Sequence, residues 1–552
     1  MKTIAIIAII CLFVPSVHVY GVFTDVTESA LGDPGPDVPG RCITWPDYNN
    51  DGRPDLFMGD DVLYENNGDG TFTRVTDIGL DAPFSDYRAT WADADNDGDL
   101  DCYQSSFRIT DPDGDTVWDT YFENEGAPDY TFTGYDNYVH PGYSRGGQGC
   151  FVDTDGDSYY ELYEGTFGNW DPYGGAFPDK FFEADGAEAW TDVTGTYIPQ
   201  LDTNDYKRHV RGVSPCDYDN DFDMDIFVPV YAVDWGDPSW ENYLWLNDGT
   251  GNFTDYAEEA GVEVEPHGRY GVGLASGASW GDYDNDGYMD LCVGNIHGWA
   301  ALYHNERDGT FTNVTEEAGL YPVRKEWHSP NWLDFDNDGD LDLVIWQWYE
   351  FRGFFFENEG PENLGHFDEV TTELGLSAVF FSNIYSLACA DYDGDGDMDF
   401  AMNRGGGYAG RYLLRNDTDR GNHWLVFELE GDGTTCGLTA HGAKVRVRLG
   451  DGSIMTRQVE PTSADAGMNM IPVHFGLGDN TSIDYVQVFW LCGYQEYWDF
   501  ADIGGSVDRY ITLVEGTGTE STDVELTYFE AKSAENGIAL TWDVGISGNE
   551  HI

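Results

Sequence analysis

Residues Asp334–Asp342 read DFDNDGDLD, with acids at positions 1, 3, 5 and 9 and glycine at position 6. Carboxylates packed so closely repel one another unless a doubly charged ion lies among them. Mg²⁺ keeps its waters and takes few protein ligands, so Ca²⁺ is the better fit to such an oxygen cage. A helix-flanked EF-hand would require a bidentate Glu at position 12, which here is Ile345, and strand formers follow the loop. The stretch therefore reads as a calcium loop at the turn of a β-hairpin.

The loop recurs, and seven copies span most of the chain. They begin at Asp47, Asp93, Asp153, Asp217, Asp282, Asp334 and Asp391, with spacings of 46, 60, 64, 65, 52 and 57 residues. By position, the expected ligands of the first three are Asp47, Asn49, Asp51 and Asp55; Asp93, Asp95, Asp97 and Asp101; and Asp153, Asp155, Asp157 and Glu161. Those of the fourth and fifth are Asp217, Asp219, Asp221 and Asp225, then Asp282, Asp284, Asp286 and Asp290. The last two add Asp334, Asp336, Asp338 and Asp342, then Asp391, Asp393, Asp395 and Asp399. Asn49 and Glu161 depart from the pattern, so the loops at Asp47 and Asp153 should bind most weakly. An off-register copy, Asp111–Asp119, is a candidate for an eighth ion. A solvated acidic turn without metal is the bland alternative.

The elements around each loop keep one order. A small-residue strand leads in, an apolar strand leads out, a third ends in a glycine-rich turn, and a fourth carries an FTxVT-like sequence. Four short strands per unit is the pattern of a propeller blade. The fourth-strand sequence also occurs seven times, but its first copy, Phe23–Thr27, precedes the first loop and none follows the last. Ring closure accounts for this if the N-terminal strand (residues 22–28) completes the last blade, which removes exposed sheet edges. The expected fold is all-β: a seven-bladed β-propeller over residues 21–416.

The formal net charge is −76, and the loops alone hold 31 of the 102 acidic residues. Such a chain is a poor partner for nucleic acid or an anionic membrane surface. Residues 1–20 have a positive start and an apolar core too short to span a bilayer, as in a secretory signal. Export suits low-affinity calcium sites. Gly277–Gly281 matches a GxSxG elbow, but a calcium loop follows where a helix is needed.

The repeats resemble FG-GAP/VCBS repeats of integrin-α-type propellers, whose blades carry DxDxDGxxD calcium loops. Residues 417–515 resemble the ASPIC/UnbV domain that follows such propellers, on GAKVRVRLGDG (Gly442–Gly452), HFGLGD (His474–Asp479) and VQVFWLCG (Val486–Gly493). The family usually continues the last motif from Trp to Pro-x-Gly, where this chain has Leu491 and Cys492. The resemblance implies structural Ca²⁺ at about seven sites. Residues 516–522 read as a linker, and 523–552 as the first strands of an incomplete fibronectin-III- or Ig-like domain. Six cysteines near the loops read as buried single thiols, and Cys436 with Cys492 as a bridge within the C-terminal domain.

Connectivity places the calcium loops on one face and the long aromatic insertions on the other. That second face gathers Arg88, Arg145, Arg208, His209, Arg211, Trp170, Trp235 and Trp240 in a chain short of basic residues. Aromatic stacking area with bidentate arginines suits a glycan or an extracellular protein. The expected function is a secreted adhesion or recognition module. The alternative is a polysaccharide lyase or hydrolase on the same scaffold, and the bland reading pairs these arginines with local acids.

Overall fold

The computed structural model describes residues 23–32, 42–59, 62–80, 88–105, 119–136, 146–166, 179–184, 190–199, 201, 208–232, 241–263, 275–295, 300–320, 327–347, 353–360, 363, 365–380, 384–404, 410–418, 420–460, 467–520, 528–534 and 537–543. The expected leader, most of the aromatic insertions at residues 105–121, 166–181 and 231–243, most of Asp111–Asp119, and Arg145, Trp170, Trp235 and Trp240 lie outside them.

One unit is used throughout, a four-stranded antiparallel sheet. In the repeat carrying the Asp334 loop its strands are Trp327–Leu333, Asp342–Gln347, Gly353–Asn358 and Phe367–Glu369. The first is buried along its whole length, whereas only Phe367 of the fourth is buried. This gradient is why the second strand reads as an apolar run (LVIW, Leu343–Trp346) while the outer one keeps a single buried residue. The same unit recurs between residues 43–75, 88–136, 146–192, 214–255 and 275–313. In the last unit Ile384–Ala390, Asp399–Arg404 and Gly410–Asn416 are joined by Phe23–Asp25, which pairs Phe23 with Asn416 and Asp25 with Leu414.

The contacts between neighbouring units repeat as well. Tyr218 stacks on Trp280 and Tyr283 on Trp332, each ring pair joining a loop to the next repeat's first strand. Tyr392 of the last repeat stacks on Trp45 of the first in the same manner. A third-strand asparagine adds a latch. Asn358 Nδ2 donates to Leu341 O in its own loop and to Tyr283 O in the preceding one. Asn124, Asn247, Asn305 and Asn416 bridge the same way, and Asn66 reaches Tyr392 O. Ala184 stands in this place in the third repeat. An all-β chain whose first and last sheets meet by the contacts used elsewhere fits a β-propeller.

Residues 423–520 form two further sheets over a separate core that includes Phe427, Val445, Phe475, Val486 and Trp490. Cys436 and Cys492 form a disulfide there, while Cys42, Cys102, Cys150, Cys216, Cys292 and Cys389 are buried thiols. Two features depart from the sequence reading. Thr519–Glu520 pairs with Glu496–Tyr497, so the sheet runs into the stretch taken as a linker. Moreover, this domain is threaded into the propeller: Gly467–Met468 pairs in parallel with Ile43–Thr44, and Met470 N donates to Cys389 O. Of the tail, the hairpin Tyr528–Ala534 with Gly537–Asp543 is described.

Replacing Asn358 by alanine removes one side chain from three backbone groups, Tyr283 O, Leu341 O and Gly365 N. At roughly 1 kcal/mol for each group left buried and unpaired, Asn358→Ala should cost about 3 kcal/mol. Urea denaturation measures this, and a loss below about 0.5 kcal/mol would show that the latch is incidental.

Candidate metal centre

Each loop closes on its own backbone before any ion is considered. Two residues must adopt left-handed backbone: Asn337 at position 4 has φ 61° and Gly339 at position 6 has φ 98°. Asparagine and glycine are the residues that accept this conformation. The turn directs amide groups at the first aspartate, so Asp93 Oδ1 accepts from Asp97 N at 2.8 Å and Oδ2 from Gly98 N at 3.0 Å. Asp47, Asp282, Asp334 and Asp391 are held the same way. The position-9 acids, Asp55, Asp101, Glu161, Asp225, Asp290, Asp342 and Asp399, are at most 1% exposed. Six of them, Glu161 excepted, accept the backbone N–H of the latch asparagine.

What remains is a surplus of acceptors. One oxygen each of Asp95, Asp219, Asp284 and Asp393 at position 3, and of Asp225 and Asp290 at position 9, is buried without a hydrogen-bond partner. Burial, followed by repulsion within the cage, pushes the carboxyls up: Asp55 to about 9, Asp282 and Asp334 to about 8, Asp93 to about 7. For Asp282 and Asp334, Arg457 opposes this. Crowded, desolvated carboxylates with open lone pairs are a donor set suited to a hard divalent cation.

The loops are not equivalent. The Arg53 guanidinium ion-pairs with Asp51 in the first, which adds to the weakness expected from Asn49. In the fourth, Lys444 Nζ lies 2.9 Å from Asp217 Oδ2. Phe222 holds position 6 of that loop at φ 75°, a strained backbone for a bulky residue. Its ring lies 6.3 Å from that of Phe489 in the C-terminal domain. Arg307 binds Asp286 through Nε and Nη2 at 2.8 and 2.6 Å, and Arg420 pairs with Asp336. Lys444, Arg307 and Arg420 were not legible as site residues, because nothing local in the sequence ties them to the loops.

The C-terminal domain sits on the loop face. Asn96 Nδ2 donates to Gly433 O, and His441 N donates to Tyr160 Oη. Arg457, 8% exposed, donates from Nη2 to Gly339 O at 3.1 Å. Gly476 N donates to Asp334 Oδ2 at 3.1 Å and Tyr510 Oη to Asp391 Oδ2 at 2.9 Å. A cavity of about 100 Å³ remains between the two bodies, lined in part by Asp282, Asp334, Arg457, Glu460 and His474.

At the opposite end the basic residues are less open than the sequence suggested. Arg88 is 5% exposed and His209 3%, and of Arg208 only the strand pairing with Ala232 is described. The structure does bring Arg211 to His328, Nη1 to Nε2 at 3.0 Å, although they belong to the fourth and sixth repeats. The Arg211 guanidinium lies 5.0 Å from the Tyr231 ring, and His328 stacks on Trp346 at 4.2 Å. Sequence reasoning missed His328; its place at the start of an inner strand, like that of Arg88, was the available signal.

Ion-free cages give the pH dependence a definite sign. Carboxyls raised in the folded state keep protons that the unfolded chain, titrating near 3.8, has already lost. Stability in chelator is thus fully present below about pH 4 and falls as pH rises toward 9. The melting temperature in EDTA should drop between pH 5 and pH 8; a rise over that interval would contradict the cages' charge.

The FG-GAP-like repeat family matches residues 47–103, 230–293 and 282–345, and the ASPIC and UnbV family matches residues 433–520. Cartilage acidic protein 1 of Homo sapiens is 26% identical over 359 residues, covering 61% of this chain and 49% of that protein. The Xenopus tropicalis protein of the same name is 26% identical over 401 residues, covering 68% of this chain and 56% of its own length. The chain thus spans about half the length of the curated relatives it matches. An Agrocybe aegerita lectin that recognises non-reducing terminal N-acetylglucosamine aligns over 65% of this chain and 84% of its own, at 17% identity and a TM-score of 0.38. The Bacillus licheniformis rhamnogalacturonan lyase aligns over 70% and 74%, at 11% identity and a TM-score of 0.35. Likenesses this shallow carry no argument. The chain carries FG-GAP-like repeats followed by an ASPIC and UnbV domain, and is similar to cartilage acidic protein 1.

Proposed function

We propose that this chain is a secreted, calcium-stabilised propeller of seven blades that serves as an extracellular adhesion or recognition module for a glycan or protein. The DxDxDGxxD loops hold the calcium, and the Tyr528–Asp543 hairpin belongs to a fibronectin-III- or Ig-like sandwich. Support for export is the apolar stretch at residues 1–20. Among the described residues no helix is long and apolar enough to cross a membrane.

One observation carries the binding site. The C-terminal domain covers the loop face, so a ligand reaching the axis does so from the other mouth. There Arg211 and Tyr231 of the fourth repeat meet His328 of the sixth. A guanidinium over an aromatic ring offers bidentate hydrogen bonding and a flat surface together. The described residues at this mouth fit recognition of an anionic or hydroxyl-rich ligand.

Calcium is structural in this reading. At free Ca²⁺ ten times a site's dissociation constant, each site adds about 1.4 kcal/mol and seven independent sites about 10. That is comparable to the whole stability of a domain. EDTA should therefore lower the melting temperature sharply, and an unchanged melt would remove calcium from the account. For the ligand, a glycan array should report binding by the wild type and loss by Arg211→Ala with Tyr231→Ala, at an unchanged melting temperature. Undiminished binding rejects the mouth. Incubation with acidic polysaccharides should give no unsaturated-product absorbance; a steady rise would make the protein a lyase.

A further inference from the structure

The third strand of each repeat brings one more side chain to its loop, at the residue before the latch position. Glu65, Glu123, Glu183 and Glu357 occupy it in four repeats, and Leu246, His304 and Arg415 in the others. Beyond the effect of burial, their charges act on the cages beside them: Glu123 and Glu357 raise the carboxyls of Asp95 and Asp336, and Arg415 opposes the rise of Asp393. The fifth repeat alone places an imidazole there.

His304 Nδ1 lies 3.2 Å from Asp290 Oδ1 and 3.3 Å from Asp284 Oδ2. Ligand atoms of His304, Asp284 and Asp290 all lie within 4.8 Å of one another. Asp290 is fully buried, and its Oδ2 has no hydrogen-bond partner. Arg307 engages Asp286 through Nε and Nη2, which withdraws the position-5 carboxylate. The His304 ring packs edge-on to Tyr283 at 6.3 Å. Both oxygens of Asp282 accept backbone N–H groups.

This donor set differs from that of the other loops. Calcium takes six to eight oxygens and has little use for nitrogen. Zinc and its neighbours take about four ligands, readily combine imidazole with carboxylate, and accept three from the protein with one position open. We propose that His304, Asp284 and Asp290 make the fifth loop, counted above among the seven calcium sites, a site that prefers a borderline transition metal of the zinc class, which leaves six loops to calcium. The inference rests on the reading that the loops hold divalent ions. A protonated His304 paired permanently with Asp290 is the rival account.

Crystals of the full chain grown in calcium and soaked with one equivalent of zinc chloride separate the two by anomalous diffraction above and below the zinc edge. A zinc peak should appear among His304, Asp284 and Asp290, and the same soak of His304→Glu should show calcium there instead. In solution, one equivalent of zinc should raise the melting temperature of the calcium-loaded wild type by several degrees and leave His304→Glu unmoved. Calcium in the other loops with no zinc at His304 overturns the proposal, as does zinc spread equally over all loops. A molecule with no ion in any loop overturns the calcium reading itself, a distinguishable result.

Discussion

Like charge held out of water is the constraint on which this structure turns. Two carboxylates 4 Å apart at an effective dielectric of 20 repel by about 4 kcal/mol, and each loop gathers several. Leaving them exposed would relieve the repulsion, yet the position-9 acids are almost wholly buried. They are buried because they also tie the hairpin together, accepting the N–H that begins the latch in six repeats. The cage cannot open without loosening the contact between one sheet and the next. The surplus charge must therefore be met in place, by protons, by protein cations or by bound ions.

All three answers bear on neighbouring elements. The position-4 asparagines of the first, fifth and sixth loops donate to carbonyls and carboxylates in the following loop, as Asn285 does to Gly339 O and Asp340 Oδ1. With the latch asparagines and the stacked Tyr–Trp pairs, these bonds link adjacent loops around the axis, except between the second and third, where Ala184 takes the latch position and Asn96 turns to Gly433 O of the C-terminal domain. Phe222 shows the compromise this allows: its backbone is strained where glycine would be easy, while its ring reaches Phe489 across the domain boundary.

The loops were legible in the sequence because their acidic residues lie within nine residues of one another and recur with their flanks. The placing of Phe23–Asp25 in the last sheet could be reasoned from the offset between two motifs that each recur seven times. The latch was harder, although LYEN, YFEN, LWLN, LYHN, FFEN and LLRN all carry it; a lone asparagine ending a strand looks like turn chemistry. The seat of the C-terminal domain had no local trace. Lys444 meets Asp217, and Tyr510 meets Asp391, only because the chain folds back on itself. Composition misled at residues 516–522, where GTGTEST resembles a linker but Thr519–Glu520 completes an edge and Trp498 lies against Gly518. Burial misled for Arg88, since a charged residue beside aromatic insertions reads as a surface until tertiary contacts cover it.

The C-terminal domain stands in two different relations to the cages. Lys444 places a full positive charge on Asp217, so in the fourth loop an arriving cation competes with a contact that helps dock the domain. Gly476 N and Tyr510 Oη are neutral donors to Asp334 and Asp391. Each uses one lone pair and leaves the carboxylate's charge in place, so docking and ion binding are compatible there. Coupling of this kind is reciprocal: whatever ion occupancy does to docking, docking does to ion affinity. The ring and its cap thus share one electrostatic balance, and a domain that looks in sequence like an appendage is part of what neutralises the propeller.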